Sequence, residues 1–307
     1  MAYAASSGFP QQSGILSPEL WSPKLQIKFY ERSVVPMISN TDYEGEIRDK
    51  GDTVHIRTTP NITVRDYEKG MNLTYETPEP STVDLLIDTG HYWAWVADDV
   101  DKKQADYAYV ENWTSDASEQ LRIKVDTTVL ANVYSDAATA NKGATAGAKS
   151  SSYNLGVTGT PIGVDKTTVI DYIADMGSVL DEQNIPEEGR FLVAPAWLCN
   201  LIRKSDLKDA SLSGDGTSIA RNGRVGMIDR FNIYMSNLLA TTVDGANTPT
   251  NMLFGHKSCL TFASQLVKSE GPIRSEATFG DKYRGLQVYG YKVVQPNGIG
   301  HFYAYKA

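Results

Sequence analysis

From Asp99 to Ala140 the chain contains neither proline nor glycine. Those two residues most often interrupt a helix, so the segment predicts one long helix. Ala105, Tyr109, Trp113, Ala117, Leu121, Val125, Val129 and Val133 recur at every fourth position. A stripe at that spacing drifts slowly around a helix. Asp98, Asp99 and Asp101 crowd the start, where the helix dipole favours negative charge. At about 1.5 Å per residue the helix would span roughly 60 Å. Tyr109, Trp113 and Leu121 are its expected packing positions.

The segments before this helix carry little core. Residues 1–44 open on small and polar residues and read as an extended arm, with a short helix after Ser17 or Ser22. Residues 45–98 read as strand. TVHIRTT and ITVRDY alternate apolar and polar residues, and STVDLLIDTGHYWAWVADD is longer and richer in β-formers. Between them Gly70, Pro78 and Pro80 mark a turn-rich stretch. The expectation is one long two-stranded hairpin. Such a hairpin cannot bury a face alone, and a neighbouring subunit is a natural cover. Arg57, Arg65 and Lys69 are candidate subunit contacts on it.

After the helix, residues 141–163 form a Gly/Ala/Ser-rich connector, which completes a unit spanning 99–163. From 164 to 255 helix and strand alternate. VDKTTVIDYIADMGSVLDEQNIP is an amphipathic helix stopped before Pro186, RFLVAP a short buried strand, AWLCNLIRKSD a helix and FNIYMSNLL a strand. Residues 211–226 read as a flexible Gly-rich loop. Arg221, Arg224 and Arg230, in and just after it, are further candidate subunit contacts, because a guanidinium makes bidentate bonds to a carboxylate. Residues 256–307 supply closing strands. The class is mixed, α+β, with no internal repeat.

Charge and motif content narrow the function classes. The formal net charge is -8, which disfavours a dedicated nucleic-acid binder. Cys199 and Cys259 lie in apolar runs, so no disulfide framework is expected. No apolar run approaches a membrane span. There is no GxSxG elbow, HExxH pair, CxxC pair or Walker loop. Ser213-Gly214-Asp215-Gly216-Thr217 lacks the Gly-Lys ending of a phosphate cradle. His55, His91, His256 and His301 have no partner at metal-ligand spacing, although His55 and His91 could meet across the hairpin. Glu187-Glu188-Gly189-Arg190 reads as a solvated loop. No catalytic residue, cofactor or metal site is expected, and the chain does not read as an enzyme.

The second half nevertheless carries a resemblance. Asn184-Ile185-Pro186-Glu187-Glu188-Gly189-Arg190-Phe191, then Val193-Ala194-Pro195 and Trp197, resemble the helix–strand–helix passage of tailed-bacteriophage major capsid proteins of the Hong Kong 97-type fold. Asn222 to Ile228 followed by Phe231 to Asn237, Gly255-His256-Lys257-Ser258 with Thr261-Phe262-Ala263, and Phe279-Gly280-Asp281 with Gly285 to Gly290 match in character. The first half agrees in layout rather than in motif. The resemblance implies an N-terminal arm, an extended hairpin loop, a spine helix, and peripheral and apical domains. It also implies pentamers and hexamers tiling an icosahedral shell around double-stranded DNA, without sequence-specific binding. A portal protein, a separate scaffolding protein and a decoration protein are the implied partners; no long helical scaffolding segment precedes the arm, so the scaffold is separate or such a segment has been removed. The implied location is the virion, with assembly in the host cytoplasm. An encapsulin-like compartment, an α/β enzyme and a tail protein are the alternatives.

Overall fold

The computed structural model describes residues 30–43, 53–60, 62–104, 109–205, 226–276 and 278–307. The main part is a mixed six-stranded sheet of order β4-β11-β8-β5-β7-β6. Its strands are β4 (Ile162–Val164), β5 (Arg190–Ala194), β6 (Met227–Ile228), β7 (Phe231–Met235), β8 (Thr250–His256) and β11 (Ile299–Lys306). β5 is buried along its whole length. It runs parallel to β7 and antiparallel to β8, so it has neighbours on both edges, and its continuous apolar run fits such a central strand.

Two helices pack on this sheet. The expected amphipathic helix spans Val169–Glu182 and buries Val169, Ile173, Met176, Gly177 and Leu180, an i, i+3, i+4 face. Asn184 adopts a left-handed conformation just past its end. There the Ile185 N–H bonds back to the Leu180 carbonyl at 3.1 Å, as at many helix C-termini. The second helix, Ala196–Lys204, buries Leu198, Cys199, Leu201 and Ile202. Phe231 and Phe254 meet edge-on beneath them with centroids 6.2 Å apart.

The long Pro- and Gly-free stretch is not one helix to Ala140. Helix is seen at Asp99–Gln104 and Tyr109–Asn132, and the chain then tightens into 3₁₀ turns at Val133–Asp136 and Thr139–Asn141. Tertiary bonds explain the early end. Asn141 is buried, and its amide donates to the carbonyls of Asn297 at 2.6 Å and Ile299 at 3.0 Å. A regular helix would carry it past both. We number the helices α1 (Val35–Ile38), α2 (Asp99–Gln104), α3 (Tyr109–Asn132), α4 (Val169–Glu182) and α5 (Ala196–Lys204).

The every-fourth-residue stripe of α3 also divides. Val125, Val129 and Val133 are buried, Leu121 and Ala117 are half-buried, and Trp113 is 46% exposed. A four-residue repeat advances about 40° per step, so the stripe leaves the core within a few turns. Near its N-terminal end Trp113 instead meets Trp95 edge-on at 5.4 Å.

The expected hairpin over 45–98 is shorter. β1 (Thr53–Arg57) pairs antiparallel with β2 (Thr82–Leu86) alone. The chain then enters β3 (Thr89–Asp98), which pairs with β10 (Gly280–Val293), not with β1. β10 also pairs with β9 (Leu260–Arg274), giving a three-stranded sheet β3-β10-β9. The alternation in residues 81–99 marks strand correctly but cannot reveal a partner near the other end of the chain. His55 and His91 therefore lie in different sheets. His55 bonds Asp84 at 2.6 Å, and His91 lies 3.2 Å from the Thr128 hydroxyl and 3.1 Å from that of Tyr289.

Candidate assembly surfaces

The hairpin has a seated base and an uncovered arm. At the base Ile56, Leu85 and Ile87 bury against Ala263 of β9, flanked by Tyr43, Val54, Val288 and Val294. The base thus shares a small core with β9 and β10, which the sequence did not suggest. Beyond it residues 62–81 are exposed throughout. The tip turns at Glu68–Met71, where the Met71 N–H donates to the Glu68 carbonyl at 3.2 Å and Gly70 takes φ +90°, a conformation that glycine adopts without strain. Glu76 ties the two limbs, accepting from the Thr63 N–H at 2.6 Å and lying 3.8 Å from Arg65. Val64, 95% exposed, and Tyr75, 88% exposed, project with Ile62, Tyr67 and Leu73 into open space.

The three-stranded sheet has two unlike faces. On one, Trp95 stacks on Tyr283 with centroids 4.6 Å apart, and His91 and Trp95 meet α3. On the other, Tyr92 and Val96 are exposed. A groove there is lined by Tyr92, Ala94, Leu286, Lys268, Glu270 and Arg284. Arg284 grips Glu270 through Nε and Nη2 at 2.8 and 2.6 Å, and Lys268 pairs with the same carboxylate. These bonds hold the Glu270 carboxyl below its usual range.

The start of the described chain is bound to α3. Burial pushes the Asp126 carboxyl up, and bonds from the Val34 N–H at 2.7 Å, the Ser33 hydroxyl at 2.9 Å and the Val35 N–H offset this only in part. Asn40 then pairs parallel to Thr261 at the edge of β9. Tyr30 donates to Asp116 at 2.5 Å, which raises its hydroxyl to about 12.

A charged knot organises the end of α4. Arg190, 0% exposed, donates to the carbonyls of Pro186 at 2.9 Å and Ile185 at 2.6 Å and to Asp181 at 2.6 Å. The expected solvated Glu187–Arg190 loop is therefore corrected at Arg190, whose guanidinium satisfies the carbonyls of Ile185 and Pro186 in the turn that follows α4. Arg230 bonds Asp181 at 2.9 Å and Glu187 at 2.9 Å. Partial burial raises the Asp181 carboxyl, but the two guanidiniums outweigh it and the net shift is downward. Gly177 leaves room here, since a Cβ would overlap Asp229.

Of the expected contact residues, Arg57 ends β1 exposed, and Arg65 and Lys69 lie exposed on the arm. Arg230 is engaged within its own chain. Arg221, Arg224 and most of the 211–226 loop lie outside the described residues, as does most of the 1–44 arm. Tyr109 opens α3. Among the described residues no group of His, Cys, Asp and Glu is placed to hold a metal ion. No described helix is long and apolar enough to cross a membrane. His301 was not singled out by sequence. It bonds the Asn251 side-chain oxygen at 3.0 Å and stacks on Tyr134. Burial, with Lys142 nearby, lowers its pKa to about 4.

The arrangement is that of a subunit, with a closed core and open flanks. The phage capsid protein family model matches residues 83–304. The chain belongs to the phage capsid protein family. A solved structure from Mycobacterium phage Che8 is 30% identical to this capsid protein, with a TM-score of 0.77 over 94% of this chain and 97% of that chain. The capsid of cyanophage P-SCSP1u matches at 16% identity and TM-score 0.72, covering 95% and 94% of the two chains. The mature capsid of bacteriophage PhiM1 matches at 16% identity and TM-score 0.69, covering 95% and 92%. No curated protein matches by sequence. The capsid protein has the Hong Kong 97-type fold. It is a major capsid protein, a structural component of the virion, and the compartment-shell alternative is not favoured.

Proposed function

We propose that copies of this chain form pentamers and hexamers that close into an icosahedral head around double-stranded DNA. The carrying observation is the arm at residues 62–81. It exposes Ile62, Val64, Tyr67, Leu73 and Tyr75, with no surface of the described residues beneath them, and apolar groups so displayed mark an association surface. A second copy supplies the missing cover. Residues 1–44 act as a further intersubunit arm and 45–98 as the extended loop. Residues 99–163 and part of 256–307 make the peripheral domain, and 164–255 the bulk of the apical domain. The 211–224 loop, with Arg221 and Arg224, makes contacts around each capsomer axis, and Arg57, Arg65 and Lys69 make them along the hairpin.

The partners in this reading are a portal protein, a separate scaffolding protein and possible decoration proteins, with assembly in the host cytoplasm. The subunit performs no catalysis and takes no cofactor. The net charge of -8 suits a wall that does not grip its DNA, since counterion release offers an acidic surface little drive. Sedimentation and electron microscopy of the full chain co-expressed with its head-assembly partners test the proposal. Megadalton closed shells are expected. A strictly monomeric chain in intact virions refutes it.

A further inference from the structure

The path of the chain between β2 and β3 shows how the hairpin is aimed. β3 pairs with β10 as far as Tyr289. At the next residue of β10 the chain lifts out of the sheet and crosses over it to become the hairpin. The crossing is tight. A Cβ on Gly290 would overlap the Leu86 carbonyl oxygen and lie 2.9 Å from its carbonyl carbon and 3.1 Å from the Ile87 Cα. All three neighbours are backbone, so no side-chain rotation can relieve the contact. Beside it in the sheet Gly290 pairs with Ala263, which packs under Ile56, Leu85 and Ile87. The base therefore rests on β10 through bare backbone and on β9 through a methyl group.

We infer that Gly290 is a positioning residue for assembly: its missing side chain lets the hairpin sit down on β10 and so sets the direction in which the arm leaves the subunit. The inference rests on the proposal that the arm contacts a second copy. Leverage makes the contact consequential. Non-bonded carbons rest about 3.5–4.0 Å apart, so a methyl at Gly290 must lift the base by roughly 1 Å. The paired strands are about 17 Å long at ~3.4 Å per residue, which converts that lift into a tilt of about 3°. The arm from Arg57 to Gly70 reaches at most roughly 45 Å, so its tip moves by about 3 Å. A displacement of that size takes an apolar side chain out of its pocket, while the six-stranded sheet is untouched.

The test uses the unassembled full chain with spin labels at Lys69→Cys on the tip and Lys166→Cys on the body; Cys199 and Cys259 are buried. Gly290→Ala should shift the tip-to-body distance by about 3 Å with an unchanged circular dichroism spectrum, and closed shells should be lost or become irregular on co-expression with the assembly partners. An unmoved tip overturns the inference. A moved tip with normal shells leaves Gly290 as the seat but overturns the role of the arm in assembly. Normal shells after deletion of the tip do the same. Ala263→Val raises the same base from the neighbouring strand and should displace the tip likewise if Gly290→Ala does not fold. If neither variant folds, the contact belongs to the core and not to aiming, and the inference is wrong.

Discussion

The six-stranded sheet and the hairpin obey opposite rules within one chain. Every residue of β5 is buried, and even its one charge, Arg190, is enclosed and satisfied by carbonyls and Asp181. The arm leaves Val64 and Tyr75 almost fully exposed. Stability is concentrated where the chain can cover itself, and the apolar residues it cannot cover are carried outward. The difference teaches that exposure in this subunit is a property of the isolated chain. The three-stranded sheet stands between the two, packed by α3 on one face and open at Tyr92 and Val96 on the other.

The largest expected effect breaks the comparison outright. Deleting Asp66 to Pro80 should abolish closed shells and leave the melting of the α/β half unchanged, as read by electron microscopy and calorimetry. Normal, heat-resistant heads would show that the arm is not an intersubunit element. Next comes the closed side. Arg190→Ala should cost about 2–4 kcal/mol in urea unfolding, because it strands two carbonyls and leaves a cavity, while Arg230 keeps its bond to Asp181. A loss below about 1 kcal/mol would mean that water replaces the guanidinium.

Acid should act on the same half. His301 has a folded pKa depressed to about 4, against about 6.5 when unfolded. Its contribution is fully present above about 6.5 and is lost as pH falls towards 4, a total of about 3 kcal/mol. The groups facing it are Tyr134, Tyr303, Asn251 and Lys142. Melting temperature against pH should fall through this window in the parent and flatten in His301→Gln; equal slopes would remove His301 as the cause.

Trp113→Ala should cost only about 1 kcal/mol in the free subunit, since its main gain is the edge contact with Trp95. The 3–5 kcal/mol of a buried tryptophan would apply only if assembly covers it, and quenching of Trp113 fluorescence before and after assembly decides between these. The smallest effect is none. Lys69 sits exposed on the arm beside Asp66, Glu68 and Gly70, without the fixed alignment on a reaction partner that joining two side chains requires. Boiled, reduced particles should run as one band near 33.7 kDa, with or without Lys69→Ala; a ladder in the parent would reveal covalent joining.

Much of the closed half is legible in local pattern. The helices over 169–182 and 196–204 and the strands at 190–194 and 231–235 follow from period, caps and breakers, because their neighbours in sequence are also neighbours in space. The candidate surfaces are less legible. Arg190 sits among charged and turn residues, and nothing local distinguishes a solvated guanidinium from one buried against the turn after a helix. Gly290 shows only as a glycine inside a strand, a hint of close approach that cannot name Leu86 as the partner.

The sequence by itself determined the order of elements and the family, through residues whose meaning is carried by spacing: the breaker-free helix, the alternating strands, and the passage from Asn184 to Trp197. Only the tertiary structure decided where the hairpin ends, where the long helix stops and which arginine is buried. Each of those depends on a contact between distant parts of the chain: β3 with β10, Asn141 with Ile299, Arg190 with Asp181. Periodicity reports which face of a segment seeks cover, and it carries no information about which remote segment provides it.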